Sequence, residues 1–339
     1  MIDVHRLRIL RTVAEHGSFN RAATALRLTP SAVSQHIAAL ERGLGHPVAR
    51  RSTRGVELTE AGRLLVETAE TVTAELDLVR SRIERLAADR ARLTVATFTS
   101  GGRHLLPRAL GAFVAARPEV ELTVVEAEPE VSLAMVRSGA ADLALAYHFD
   151  GPLPAGGAGT AGPAWLPLME DPLYAVLPPG HRLARREVLE PAELGDDRWV
   201  LGCLKTEAFL RRYADRAGFE PRVAASTTDY FFAQALVGAG VGVSLIPRVA
   251  LAPAAGSAAV PLASPRPARH IGVATPRRAP LDPHAAALRD ALREAAAASG
   301  TEAAAASGTE AAAASGTEAV AASGAGPVGA CGSGAEVGP

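Results

Sequence analysis

The chain has 339 residues and nearly balanced charge, 35 basic against 36 acidic groups, with nine histidines and two cysteines. No apolar run is long enough to span a bilayer and no export signal opens the chain, so a cytoplasmic protein is expected rather than a membrane or secreted one. Cys203 and Cys331 lie far apart and the histidines do not cluster with them, which argues against a disulfide framework and against a metal site.

The first elements are short helical patterns meeting across a tight turn. Ser18 and Phe19 start one in which Ala22, Ala23 and Leu26 share a face. Arg27-Leu28 breaks it and Thr29-Pro30 restarts it, with Thr29 as a good N-cap and Pro30 at a first helical position where no hydrogen bond is lost. Val33, Ile37, Leu40 and Leu44 form one apolar stripe, and Ser31, Gln35, Ala38 and Arg42 fall on the far side. That outward face is short-chained and polar, as a helix entering a DNA groove requires; an ordinary helical hairpin facing water is the other reading. Arg50, Arg51 and Arg54 follow at once, with Val56 and Leu58 alternating like a strand, a cationic loop suited to phosphates or a minor groove. Residues 1–63 hold ten arginines against five acidic groups, a balance of +5 that leaves −6 on the rest. A basic head on an acidic body suggests a nucleic-acid module joined to something else.

This stretch resembles the winged helix-turn-helix of LysR-type transcriptional regulators. The resemblance rests on Leu7-Arg8-Ile9-Leu10, Val13-Ala14, Gly17-Ser18-Phe19, Ala22-Ala23, Leu26, Thr29-Pro30-Ser31-Ala32-Val33-Ser34-Gln35, Ile37, Leu40-Glu41, Leu44-Gly45, Arg51 and Leu58-Thr59-Glu60-Ala61-Gly62, without gaps over some sixty residues. One departure is Val48-Ala49 after Pro47, where the family has a Leu-Phe pair, so looser wing packing is expected. The resemblance implies that Thr29, Pro30, Ser31, Ser34 and Gln35 meet the major groove or its flanking phosphates, that His36 touches a phosphate, and that Arg51 and Arg54 serve the wing.

From Thr59 to Ala88 helix formers dominate and no proline intervenes. Leu65, Ala69, Val72, Leu76, Val79, Ile83 and Leu86 alternate four and three apart, a heptad seam. A second copy is the simplest partner for it, giving a homodimer through residues 59–88, and paired DNA half-sites suit a two-fold protein; packing against the chain's own body is the alternative. In the resembled family this segment is the linker helix that pairs subunits.

Beyond Arg90 strand and helix patterns alternate: strands at Leu93–Phe98, Val120–Glu126, Asp142–Tyr147, Leu173–Leu177, Arg198–Leu201, Val223–Ser226 and Val241–Ile246, with helices at His104–Ala116, Val131–Ser138, Glu207–Ala217 and Tyr230–Ala239. Such alternation indicates α/β sheets with a core large enough for two small lobes. Gly139-Ala140-Ala141-Asp142-Leu143-Ala144, the run Leu177–Ala184 and the run Ala239–Pro247 look like markers of the family's effector domain. That implies a two-lobed, periplasmic-binding-protein-like α/β domain behind an all-α winged helix-turn-helix and a long linker helix. The expected boundaries are 1–58 for the head, 59–90 for the linker and 91–294 for the effector domain, with lobe 1 about 91–160 and 270–294 and lobe 2 about 165–265. The chain is expected to cross between lobes near 147–168 and 262–271.

The loop leaving the first strand of that domain, Thr99-Ser100-Gly101-Gly102, sits where open α/β sheets bind ligands, and free N–H groups there would favour an anion or carboxylate. Cys203, Lys205 and Thr206 after one strand, Thr227 and Thr228 after another, and His148 at a strand end complete the effector candidates. Gly157–Gly162 fits the letters of G-x-G-x-x-G but opens no helix, and no nucleophile elbow, P-loop or H-E-x-x-H occurs, so no catalytic residue and no cofactor is expected. From Ala295 an Ala-Ala-Ala-Ala-Ser-Gly-Thr-Glu repeat sets in, and 295–339 reads as a low-complexity, disordered tail without a stable helix. The resulting expectation is a non-enzymatic LysR-type transcriptional regulator, dimer or dimer of dimers, whose partners are double-stranded DNA, a small-molecule effector, a second copy and RNA polymerase, with no membrane. The rivals are an α/β solute-binding protein or enzyme and a DNA binder with an unresponsive body.

Overall fold

The computed structural model describes residues 2–52, 55–86, 90–149, 151, 162–252, 257–277 and 280–299. The head is three helices and a hairpin: α1 (Val4–His16), α2 (Phe19–Leu26), α3 (Pro30–Leu44), β1 (Ala49–Ser52) and β2 (Gly55–Leu58). Cap chemistry sets the turn between α2 and α3. Arg27 closes α2 in the left-handed region at φ 56°, and Thr29 opens α3 by accepting a 3.2 Å bond from the Ala32 N–H. Leu7, Ile9, Leu10, Val13, Val33, Ile37 and Leu40 make the head core, each buried side chain contributing roughly 1.5–3 kcal/mol.

The departure at Val48-Ala49 does not loosen the wing. Val48 is fully buried, its N–H donates to the Glu41 carboxylate at 2.9 Å and its carbonyl accepts from the Thr59 N–H at 3.1 Å. Backbone bonds and a glycine replace the missing aromatic: a Cβ at Gly62 would collide with the Val48 carbonyl, so the hairpin lies directly on the next helix.

That helix, α4 (Glu60–Leu86), is 27 residues long, about 40 Å. Its apolar stripe is divided. Leu65 and Ala69 are buried in the head core, whereas Leu76, Val79 and Ile83 are 52–61% exposed. The opposite face carries Leu78, which is buried beside Gly139, the left-handed cap (φ 75°) that ends α7 (Pro129–Ser138). Ser81 and Arg85 donate to the Gly139 carbonyl at 2.9 and 3.0 Å, and Arg85 pairs with Asp142. The linker therefore docks on both the head and the first lobe, and the surface left for a second copy is narrower than the heptad pattern suggests.

The body contains β3 (Arg92–Thr97), α5 (Thr99–His104), α6 (Leu106–Ala116), β4 (Glu121–Glu126), α7, β5 (Leu143–His148), β6 (Ala164–Leu177), β7 (Arg198–Leu201), α8 (Leu204–Ala217), β8 (Arg222–Ser226), α9 (Tyr230–Gly238), β9 (Ser244–Pro247), β10 (Ala258–Pro261), β11 (Ala268–Thr275) and a helix over 283–299. β3 runs parallel to β4 and β5, and β11 lies antiparallel between β5 and β6. β6 pairs with β11 up to Pro172 and with β9 and β10 from Leu173, so one long strand passes from the first lobe's sheet into the second's. The first crossing thus falls later than 147–168, because 164–172 still completes the first sheet. The return lies between Pro261 and Ala268, within the expected 262–271.

Two further differences have local causes. Thr99–Gly102 is the start of α5 rather than a loop; its glycines weaken the helical signal, but Gly101 packs on Phe98 and Leu145 where a Cβ has no room. The helix over 283–299 covers the first lobe, with Leu288, Leu292, Ala295 and Ala296 in its core. Packed structure therefore continues past 295, since alanines fit closely on a sheet. Gly157–Gly162 is outside the described residues apart from Gly162, as are 301–339 with Cys331. No helix among the described residues is long and apolar enough to cross a membrane.

Candidate functional site

The head presents one outward helical face. Ser31, Gln35 and Arg42 are exposed on α3 opposite its buried stripe, and Ser34 and His36 are half-buried at its edges. Thr29 is committed to the helix start, within 3.0 Å of the Ser31 hydroxyl, so these two act first as a cap. His36 meets the His5 ring edge-on at 5.1 Å. β1 and β2 pair as an antiparallel hairpin from Ala49↔Leu58 to Ser52↔Gly55. Arg50 is exposed on it; the Arg51 side chain and all of Arg54 lie outside the described residues.

The second site is the space between the lobes. It is walled by Phe98, Thr99, Ser100, Glu128 and Tyr147 from the first lobe, Cys203, Thr228, Asp229, Tyr230 and Phe231 from the second, and Arg269 on β11, just after the chain's return to the first sheet. Arg269 and Asp171 face each other across the paired strands β11 and β6, register partners with no solvent exposure. Arg269 Nε donates to Asp171 Oδ2 at 2.8 Å, and the other Asp171 oxygen accepts from the Val249 N–H at 3.0 Å. Arg269 Nη2 donates to Ser100 Oγ at 2.8 Å, while Nη1 is buried with no hydrogen-bond partner. Burial works against the guanidinium charge, but Asp171, Tyr230 and Tyr147 outweigh it and hold the pKa above its usual value. The rings of Tyr147, Phe98 and Tyr230 surround its Cζ at 4.8, 5.0 and 5.6 Å.

Tyr147 joins the lobes. Its hydroxyl donates to Glu128 at 2.8 Å and lies 3.3 Å from Cys203 Sγ. Burial, reinforced by Cys203 and Tyr230, pushes its pKa well up, so the phenol stays protonated and keeps its donor role. Nearby, Arg103 of α5 lies 3.9 Å over the Phe231 ring of α9. The free space between these groups is only about 10 Å³, on the order of one water.

Of the residues expected at this site, Thr99, Ser100, Cys203 and Thr228 line it. Gly101 is buried beneath it, and the Thr227 hydroxyl accepts from the Asp229 N–H at 3.0 Å instead. His148 is not at the cleft: on a strand, neighbours point to opposite faces, and it packs against Trp165 and His270, with ring centroids 5.1 and 5.8 Å away. Lys205 and Thr206 lie in the first turn of α8, their side chains outside the described residues. Arg269, Asp171, Tyr147 and Glu128 were not expected; a lone arginine before an apolar run was the available signal. Among the described residues no group of three or more His, Cys, Asp or Glu side chains could hold a metal ion.

Comparison with known proteins covers both parts of the chain. Residues 4–63 match the family model described as "Bacterial regulatory helix-turn-helix protein, lysR family", and 86–297 match "LysR substrate binding domain". A Mycobacterium avium protein named "Probable hydrogen peroxide-inducible genes activator" is 34% identical over 277 residues, 79% of this chain and 86% of that protein. The "Transcriptional dual regulator GltC" of Bacillus subtilis (strain 168) is 29% identical over 292 residues, 84% and 94% of the two chains. The crystal structure of HinK, a regulator from Pseudomonas aeruginosa, has the same fold at 22% identity, with a TM-score of 0.51 over 87% of this chain and 98% of that one.

Proposed function

The chain belongs to the LysR family of bacterial helix-turn-helix transcriptional regulators, and on that premise we propose that α3 and the wing read a promoter while the Arg269 cleft receives the small-molecule effector. It is a DNA-binding regulator of transcription with an α/β effector-binding domain. The observation that carries the DNA half is the exposed Ser31–Gln35 face of α3, together with an arginine-bearing hairpin on a head of net charge +5. Short polar side chains on such a face reach base edges, while flanking arginines hold phosphates.

The cleft reading is supported by polar groups from both lobes and from β11 converging on one space. Ligand contact there is felt by every element that sets the lobes' relative position. The exposed Leu76, Val79 and Ile83 face of α4 serves self-association, as a dimer or a pair of dimers, and bound promoter DNA then presents the regulator to RNA polymerase in the cytoplasm. The regulator does no catalysis in this reading and carries no resident cofactor. The printed name of the M. avium relative speaks of hydrogen peroxide; among the described residues here the single cysteine is Cys203, which favours a bound effector over a disulfide switch.

Footprinting on the DNA upstream of the chain's own gene, at fixed salt, tests the reading. The wild-type protein should protect a discrete sequence. Gln35→Ala should lose about 1–3 kcal/mol of discrimination at one base pair and keep salt-dependent non-specific binding. A footprint unmoved by Gln35→Ala takes α3 out of the major groove.

A further inference from the structure

Outside the cleft, a second opening crosses the boundary between the lobes. It is a groove of about 530 Å³ where α5 and the start of α6 meet the turn that follows β9. Arg103, His104 and Arg108 line it from the first lobe and Arg248 from the second, and no acidic side chain is among its described lining residues. Leu105, Met169 and Val249 add apolar surface between them. Such a lining suits an anionic segment that also carries small apolar groups. The chain itself delivers one there. Ser299 lines the same groove, and its hydroxyl donates to the Ala295 carbonyl at 3.0 Å, so the last helix ends at the groove's edge. Every charged residue from 301 to 339 is a glutamate: Glu302, Glu310, Glu318 and Glu336. The first three are each followed by a run of small apolar residues, Ala303 to Ala306 after the first. Glu302 is within about 10 Å of Ser299 along the chain, and Glu310 within about 40 Å.

We propose that the acidic repeat is a ligand of this chain's own body: Glu302 is received by Arg108 and Arg248, the alanines after it lie on Leu105 and Val249, and the contact fastens the two lobes to each other. Exposed ion pairs are individually weak and screened by salt. Tethering changes the balance, because a short tether holds the carboxylate at millimolar or higher effective concentration. Glu310 and Glu318 present the same groups again, so a unit that leaves the groove is replaced by the next. Arg108 and Arg248 belong to different lobes, and a carboxylate held between them resists any motion that parts α5 from the turn after β9. The tail thus weighs on the relative position of the lobes from outside the cleft.

A protease that cuts after glutamate reads the contact in the full-length protein, with Glu336 in the same tail as the internal reference. Cleavage after Glu302 should be slow relative to Glu336 at low salt. It should speed up about fivefold in Arg108→Gln/Arg248→Gln, the factor that two exposed ion pairs supply together. Sodium chloride at about 1 M should do the same to the wild-type chain. An unchanged relative rate in the double variant overturns the proposal. So does a rate that falls as protein concentration rises, which would give the groove to the tail of a second copy. The fastening of the lobes is read separately in a full-length Glu302→Gln/Glu310→Gln/Glu318→Gln chain, whose substitutions all follow the last described helix. Amide exchange over residues 248–251 should rise about fivefold there while α1 is unchanged; equal exchange in the two chains overturns the link between the lobes.

Discussion

The phenol oxygen of Tyr147 lies 3.3 Å from the Cys203 sulfur, and the two residues belong to different lobes. Cys203 is only 6% exposed behind that contact. Tyr147→Phe keeps the ring around Arg269 but removes the bridge, worth about 0.5–1.5 kcal/mol. In a Cys331→Ser background, labelling of Cys203 by a thiol reagent should speed up about fivefold, as roughly 1 kcal/mol implies. Unchanged labelling would mean that this contact does not hold the lobes together.

The divided stripe of α4 predicts that its two halves fail differently. Leu76→Glu and Ile83→Glu fall on the exposed part and should dissociate the protein, seen by sedimentation, with little loss of protomer stability. Leu78→Ala removes a buried side chain between linker and first lobe and should cost about 2–4 kcal/mol in denaturant unfolding. A Leu76→Glu protein that sediments like wild type would place the self-association surface elsewhere.

His104 provides a pH signature. Burial, then the adjacent Arg103 charge, lowers its pKa below the ordinary 6.5, with Asp171 pulling the other way. The folded state therefore holds this proton less tightly than the unfolded chain. Stability is complete above 6.5 and declines as pH falls from there through the lowered folded value. His104→Gln should flatten that decline in chemical denaturation followed between about pH 7.5 and 5.5; an unchanged slope would assign it to other groups.

The legibility of these features in the sequence follows the range of the forces that make them. Thr29-Pro30 announces the start of α3 because a cap and a first-turn proline act within four residues. Strands such as Arg198–Leu201 show as short apolar runs. β6 is harder to read: Pro167 and Pro172 interrupt it, and its length comes from service in two sheets. The helix over 283–299 hides behind alanines whose burial depends on a sheet with strands drawn from as far back as Leu93 and Leu143. The cleft was half legible. Ser100 follows from its place after the first strand of the domain, whereas Arg269 pairs with a residue 98 positions away and with Ser100 at 169. No local pattern distinguishes such an arginine from a solvated one.

That same pair gives the sharpest stability test. With both groups fully buried, Asp171→Asn leaves an uncompensated guanidinium and weakens the bond that fixes Val249, and should cost about 3–5 kcal/mol. Removing both charges is a different experiment. Asp171→Leu with Arg269→Met leaves no buried ion to desolvate, and an apolar pair of similar volume can match or exceed a buried ion pair. The double variant should therefore be more stable than Asp171→Asn in denaturant unfolding. If the double variant proved the weaker fold, the ion pair would be a net source of stability.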